Sequence, residues 1–504
     1  MEETRAAHRP RPLNGSIPRI VILLLTLLAP GSPCVAAEES CTIAGGSRWR
    51  HYRSRHFVFD VAARNLDPAL LVKTFEELHA AVLAALVSEP VEIPGRVHVV
   101  VLPREGDLFD YTGDRSVMGA FWISRFGEPT ILVSAEKIRD VPYVVAHELA
   151  HHISSYLFPR QAYWFSEGLA QFVESVAKID RDGKRWTGGD PSSGSIAGSI
   201  KLTRMEVLVG GGDRQRFDAN PYVTAWVLYR FLWNERSAHL AQYQRRLMEG
   251  DSPPAAWNAA FPEWNLDSGK IGLLDGPLHH HQVSGRGLRW EIKLGPVDTT
   301  FTSAPVSYGD VHLALLPARL NQVNSVIKAR MTRTSLEEAE REDPDHPVVR
   351  FELARIRGEP LGAALQAVTA ARPTDGRGWF LLARQTEDLT AREAALRRAA
   401  AYWPEGALAK AALASHLAAT GRAREALAFA NDAADLAPWS PVVVSTLATV
   451  AAELGKCKEA LILQERAVDA AMCRSFGSTG SDPTQLKERL TELRKRCAPP
   501  SGAR

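Results

Sequence analysis

Toward its C-terminus the chain repeats itself at an interval of 34 residues. Gly421 is matched by Gly455, Leu413 by Leu447, Ala414 by Ala448 and Ala418 by Ala452. The agreement continues through Glu425 and Glu459, Ala426 and Ala460, Leu427 and Leu461, and Ala433 and Ala467. A unit of this length is too small to bury its own apolar face and gains a core only by stacking on its neighbours. A generic Ala-rich bundle would not explain so many identities at one offset. Ser440-Pro441 supplies an N-cap and a first-turn proline for one helix. Pro404 stands at the same offset from Pro438, so degenerate copies are expected over 345–404. A helix from Pro483 to Arg496, capped by Asp482, is expected to close the stack.

The register resembles that of tetratricopeptide repeats, in which small residues let paired helices approach closely. The resemblance implies an α-helical tetratricopeptide-like solenoid over 344–497, with a protein partner at the repeats.

A second feature constrains chemistry. In VVAHELAHH, His147 and His151 lie four residues apart, which puts both imidazoles on one face of a helix where they can converge on one ion. Glu148 lies beside them, placed to hold a water on that metal. The run Val141 to Ala146 is apolar enough to bury such a helix. The plain alternative is a buried helix with solvated histidines. After a turn-like stretch, LFPRQAYW, apolar residues fall at Leu169, Phe172, Val173 and Val176, a helical spacing with Ser166 as N-cap. Glu167 would then open a second helix packed antiparallel on the first. Two histidines and a carboxylate make a zinc site with an open fourth position, whereas a structural zinc would more often close that position with cysteine. The competing reading of Glu167 is an ordinary first-turn acid favoured by the helix dipole.

HELAHH followed by WFSEGLAQFVE resembles the gluzincin metallopeptidases, especially their bacterial peptidase-MA-like branch. The likeness covers roughly residues 50–250. It implies that His147, His151 and Glu167 ligate zinc and that Glu148 is the catalytic base. It extends to FDANPYVTAWVLYRFL, where Tyr222 matches the tyrosine that stabilises the oxyanion in aminopeptidase-like gluzincins. Aromatic packing at a helix start is the other reading of Tyr222. One departure matters: Met118-Gly119-Ala120-Phe121-Trp122 lacks the Glu that grips a substrate amino terminus, so aminopeptidase activity is not supported. The β-prone run Thr130 to Ser134 is expected as the edge strand that pairs with an extended peptide. Gln171, one turn after Glu167, is expected to orient a ligand from behind. In such a site zinc acidifies a water and polarises the carbonyl. Glu148 moves the proton to the leaving amine, and Tyr222 donates to the oxyanion.

Residues 1–37 read as a signal peptide. Arg5, Arg9, Arg11 and Arg19 precede the apolar run Ile20 to Ala29, and Val35-Ala36-Ala37 fits a cleavage site. That run is too short to span a hydrocarbon core of about 30 Å. An exported protein, periplasmic or extracellular, is expected, with no stable membrane insertion after cleavage. Cys34 follows Pro33, a poor lipoprotein signal. A formal charge of +2 makes no electrostatic case for nucleic acid or an anionic membrane. Cys41, Cys457, Cys473 and Cys497 lack zinc-finger spacing and can oxidise after export. If the last repeat helix is unbroken, Cys457 and Cys473 lie too far apart to bridge. An antiparallel closing helix brings Cys497 back to Cys457, with Cys473–Cys497 and a Cys41 bridge as alternatives.

HFVFDV reads as a strand, Pro68 to Leu86 as an amphipathic helix, and VHVVVL and TILVS as further strands. Strands before metal helices is an α+β zincin order, so 38–250 is expected to be the metallopeptidase domain, closing near Gly250. Residues 180–200 read as a loop. Residues 251–343 read as a linker or small mixed segment, with strands at Trp290–Leu294 and Val311–Leu316 and a helix from Leu320 to Met331. His279-His280-His281 lacks ligand spacing and sits between loop-like flanks. The function expected is an exported zinc endopeptidase acting on a peptide or protein. The alternative is a catalytically weak or inactive shell that binds proteins through its repeats.

Overall fold

The computed structural model describes residues 49–88, 91–112, 119–123, 128–188, 200–210, 220–284, 288–320, 325–472 and 482–498. The expected leader at 1–37, together with Cys34, Cys41, Met118 and Cys473, lies outside them. Among the described residues no helix is long and apolar enough to cross a membrane.

A six-stranded sheet organises the first half of the chain. Its strands are β1 (Arg50–Arg53), β2 (Phe57–Val61), β3 (Val97–Leu102), β4 (Gly119–Ile123), β5 (Pro129–Ser134) and, after the two-stranded ribbon of β6 (Arg185–Gly188) and β7 (Arg289–Ile292), β8 (Thr302–Ala304). The order is β4-β5-β3-β2-β1-β8. The inner strands β2, β3 and β5 are parallel, while β4, β1 and β8 join antiparallel. Helix α1 (Pro68–Leu86) makes the crossover from β2 to β3. Its start is local chemistry: Asp67 accepts from Ala69 N, and Pro68 presets the first turn.

Both faces of the sheet are covered, which is why β3 and β5 read as nearly continuous apolar runs. Val97, Val99, Val101, Ile131 and Val133 point into the main core with α1 and the helices of the histidine motif. Val100, Leu102 and Leu132 point the other way, onto α2 (Glu105–Thr112) and α11 (Tyr308–Leu320). Helices α3 (Ala135–Asp140), α4 (Tyr143–Leu157), α5 (Tyr163–Val173), α6 (Met205–Leu208), α7 (Pro221–Glu235), α8 (Ser237–Met248), α9 (Pro253–Ala260) and α10 (Asp275–Ser284) follow.

Four expectations meet a different structure. The run Thr130–Ser134 is not the sheet edge, because β5 lies between β4 and β3, and the edge is β4. Its lack of polar alternation already fits an interior strand. Val311–Leu316 is helical, within α11 (Tyr308–Leu320), and α12 (Ser325–Glu342) follows. Residues 251–343 carry defined elements: Trp257, Phe261 and Leu278 belong to the main core, β8 extends the sheet and β7 pairs with β6. His279-His280-His281 lies within helix α10, not in a loop.

The C-terminal part is a stack of helix pairs: α13 (Pro347–Arg357) with α14 (Leu361–Ala371), α15 (Gly376–Gln385) with α16 (Leu389–Tyr402), α17 (Ala407–Ala419) with α18 (Ala423–Leu436), and α19 (Pro441–Glu453) with α20 (Cys457–Met472). The sequence interval reappears in the backbone. Gly421 and Gly455 both take φ of 77°, the left-handed region open to glycine. Arg422 N reaches Leu417 O at 2.8 Å, and Lys456 N reaches Ala451 O at 2.9 Å. Helix α21 (Pro483–Arg496) closes the stack, capped by Asp482. A Cys457–Cys497 disulfide pins it, with Cα atoms 5.5 Å apart. Ser440 stands at the N-cap of α19 but makes no side-chain capping bond.

Candidate metal centre

Helix α4 carries His147, Glu148 and His151 on its buried length, and α5 carries Glu167. A five-residue turn between them lets the two helices pack together. One nitrogen from each histidine and one Glu167 oxygen lie within 4.8 Å of one another. His147 Nε2 is 3.2 Å from His151 Nε2, and Glu167 Oε2 is 3.7 Å from both. His152, one residue on, is held by burial as a neutral imidazole, down to about 3. It turns to Phe121 and Tyr156 instead.

The far side of each ring is held as well. His147 Nδ1 lies 3.0 Å from Glu174 Oε1, and His151 Nδ1 lies 3.0 Å from Ser166 Oγ. The Glu174 carboxylate accepts from His147 Nδ1 and so turns the Nε2 edge of the ring toward His151 and Glu167. Glu174 starts the 3₁₀ turn Glu174–Ala177 that continues α5, and it is 1% exposed. Sequence reasoning missed it, although an acid seven residues after Glu167, on the same helix face and inside the apolar run FVESVA, was a usable signal.

Ser166 is not the N-cap that its sequence suggests. Helix α5 begins at Tyr163 after Ala162, so Ser166 sits inside it with its hydroxyl on His151. Glu167 therefore lies beyond the first turn, where the dipole argument loses force. Gln171 also has a different role from the expected one. Its amide donates to Glu167 O at 3.1 Å and to Tyr222 O at 2.9 Å, tying α5 to the start of α7. A close approach supports the same junction: a Cβ at Gly168 would meet Ala225 O at 2.4 Å.

Burial opposes charge on His147, but the Glu174 bond and the charges of Glu148, Glu174 and Glu167 outweigh it and carry the imidazole up to about 9. Burial also pushes the Glu148 carboxyl up to about 7; His147 opposes, and Glu167 and Glu174 add to the rise. Tyr222 is the second residue of α7, and its ring lies 5.9 Å from that of His147. Burial and the charges of Glu174, Glu167 and Glu148 raise its pKa, so the phenol stays protonated. Strand β4 passes over the cluster: a Cβ at Gly119 would lie 3.3 Å from Glu148 Oε1. Phe121 stacks near His151 at 6.5 Å.

No protein-family model matches the chain, and no curated protein matches it. Among solved structures it is similar to a thermophilic TPR protein of Thermus thermophilus, at 22% identity over 37% of this chain and 98% of that one, with a TM-score of 0.27. It is also similar to two crystal structures of MamA, at 14% and 15% identity. These cover 33% and 29% of this chain and 93% and 91% of theirs, with TM-scores of 0.23 and 0.24. The helix pairs of the structure are themselves the tetratricopeptide-like repeat expected from the sequence.

Proposed function

We propose that the protein is an exported zinc-dependent peptidase, with a gluzincin-type site in an α+β zincin domain and a solenoid attached to it. The observation that carries this reading is the convergence of His147, His151 and Glu167 within 4.8 Å. The donor set fits the ion. Two Nε2 atoms 3.2 Å apart, with Glu167 Oε2 3.7 Å from both and Glu174 backing the His147 ring, make a nitrogen and carboxylate set of the kind that holds zinc.

When bound, zinc supplies Lewis acidity, acidifying water and polarising a carbonyl. His147, His151 and Glu167 would hold it, with Glu174 and Ser166 fixing the rings. Glu148 accepts a proton from the attacking water and returns it to the leaving amine. Tyr222, kept protonated, donates to the oxyanion.

The test combines metal analysis with turnover. The purified protein should contain zinc and cleave casein or a peptide library, and a chelator should stop it. Glu148→Gln should keep the zinc and lose about 10²–10⁴-fold in turnover. Zinc-free protein, or a variant with wild-type turnover, would refute the assignment. A second reading keeps the shell without turnover and gives the function to the repeats as a protein-binding scaffold. The helix-pair stack favours it, since solenoids offer extended binding surfaces. Zinc retention with no cleavage of any peptide would select that reading.

A further inference from the structure

We propose that the helix-pair stack is the end wall of the peptide cleft, so that the enzyme takes only chains with a free end within about four residues of the scissile bond. This rests on the peptidase reading above. It concerns which substrates enter, and it turns an expected endopeptidase into a trimming enzyme.

Two elements leave the metal cluster side by side and both end on the stack. Strand β4 starts at Gly119 beside Glu148, passes Phe121 against His151 and His152, and ends at Ile123. Ile123 is buried in one apolar cluster with Ala407, Ala433, Trp439 and Val443 of the stack. Helix α4 runs the same way, from Glu148 through His152 to Tyr156, whose ring meets Trp439 edge-on at 4.6 Å. Two measures of the distance agree. Four strand steps from Gly119 to Ile123 make about 13 Å. Eight helical residues from Glu148 to Tyr156 make about 12 Å. An extended peptide laid along β4 from the cluster therefore has room for about four residues before it meets the stack.

The wall is held in place. Arg53 Nη2 of β1 bonds Glu405 at 3.1 Å, and Arg96 shares the same carboxylate. Arg160, just past α4, pairs with Asp469 of α20. The Tyr156 hydroxyl lies 3.0 Å from Pro94 O and 3.3 Å from Leu436 O. Ion pairs and apolar contacts thus tie the stack to the sheet-bearing side, so passage of a long chain would need them to part.

The experiment uses the full-length zinc-loaded protein, a library of linear decapeptides, and the same sequences cyclised head to tail. Cut positions are read by mass spectrometry, and equilibrium binding is measured with Glu148→Gln. The expected result is cleavage within about four residues of one terminus, always the same one. Cyclic peptides should resist cleavage and bind Glu148→Gln at least about tenfold more weakly than the linear forms. Cuts spread through the interior, or cyclic peptides cut and bound like linear ones, would overturn the wall and leave the peptidase standing. Absence of any cleavage and any binding would overturn both.

Discussion

The sheet-bearing part and the helix-pair stack bury different things. Around α4 the interior holds Asp60, Glu76, His79, His147, Glu148, His151, His152 and Glu174. From α17 onward the interior is mostly Ala, Leu and Val, and buried polar groups such as Ser445 and Gln464 bond each other. The stack keeps most of its charges on the rim, as where Arg397 and Arg422 both grip Glu393. Burying ionisable groups opposes folding unless each is bonded or neutral. A region that gathers so many of them around one helix is therefore organised around chemistry, and one that buries only scattered examples, such as Glu352 and His416, is organised around packing. Substitutions in the two regions should fail in different ways.

The largest expected effect lies in the stack. Cys497→Ser removes the bridge to Cys457, which closes a 40-residue separation. Chain-entropy arguments put the loss at about 4 kcal/mol. Hydrogen exchange should locate the fraying in α21 while zinc content stays unchanged. A parallel loss of zinc would mean that the two regions are one cooperative unit and would break the comparison.

Two glycines sharpen it. At Gly168 a Cβ would meet Ala225 O at 2.4 Å and Tyr229 Cβ at 2.9 Å, so Gly168→Ala must push α5 from α7. About 1–3 kcal/mol should be lost, and zinc occupancy with it, because Glu167 is the neighbouring residue. At Gly421 a Cβ meets nothing within 4 Å, and only φ of 77° resists a side chain. Gly421→Ala should cost about 1–2 kcal/mol and leave zinc untouched. Thermal unfolding with metal analysis separates the cases.

Glu174→Ala should weaken zinc binding by about 10–100-fold by freeing the His147 ring, with little change in overall stability. Ser166→Ala should do less, since a neutral hydroxyl holds His151 where a carboxylate holds His147. Competition with a fluorescent chelator gives both affinities; equal losses would remove the special role assigned to Glu174.

The smallest effect concerns the rim. Bonds from Arg422 and Arg397 hold the Glu393 carboxyl down to about 2, below its ordinary 4.5. Its contribution is therefore present above 4.5 and lost as pH falls toward 2. Glu393→Gln should flatten that acid limb slightly, and salt should mask the change because the group is solvent-accessible. Urea midpoints across the acid range would show it, and an unchanged limb would make the network irrelevant to stability.

Helices α1 and α21 were legible to the residue because their starts are local: Asp67-Pro68 in one, Asp482-Pro483 in the other. The converging trio of His147, His151 and Glu167 was legible from spacing. Less was visible where the partner is distant. The run Thr130–Ser134 looks alike as an edge or an interior strand until β4 is known to lie outside it. Ser166 looked like a cap because its bond to His151 crosses from one helix to another.

The sequence by itself determined the helical periods, the spacing of His147 and His151 on α4 and the 34-residue register of the last repeats, since each depends on the geometry of one element and its caps. Only the tertiary structure decided that Glu174 backs His147, that β4 is the edge above Glu148, and that Trp439 of the stack stands at the end of α4. Those arrangements join residues from different elements, some hundreds of positions apart. Beyond the helical placing of Glu174, no local pattern encodes them, because they follow from how whole surfaces exclude water together.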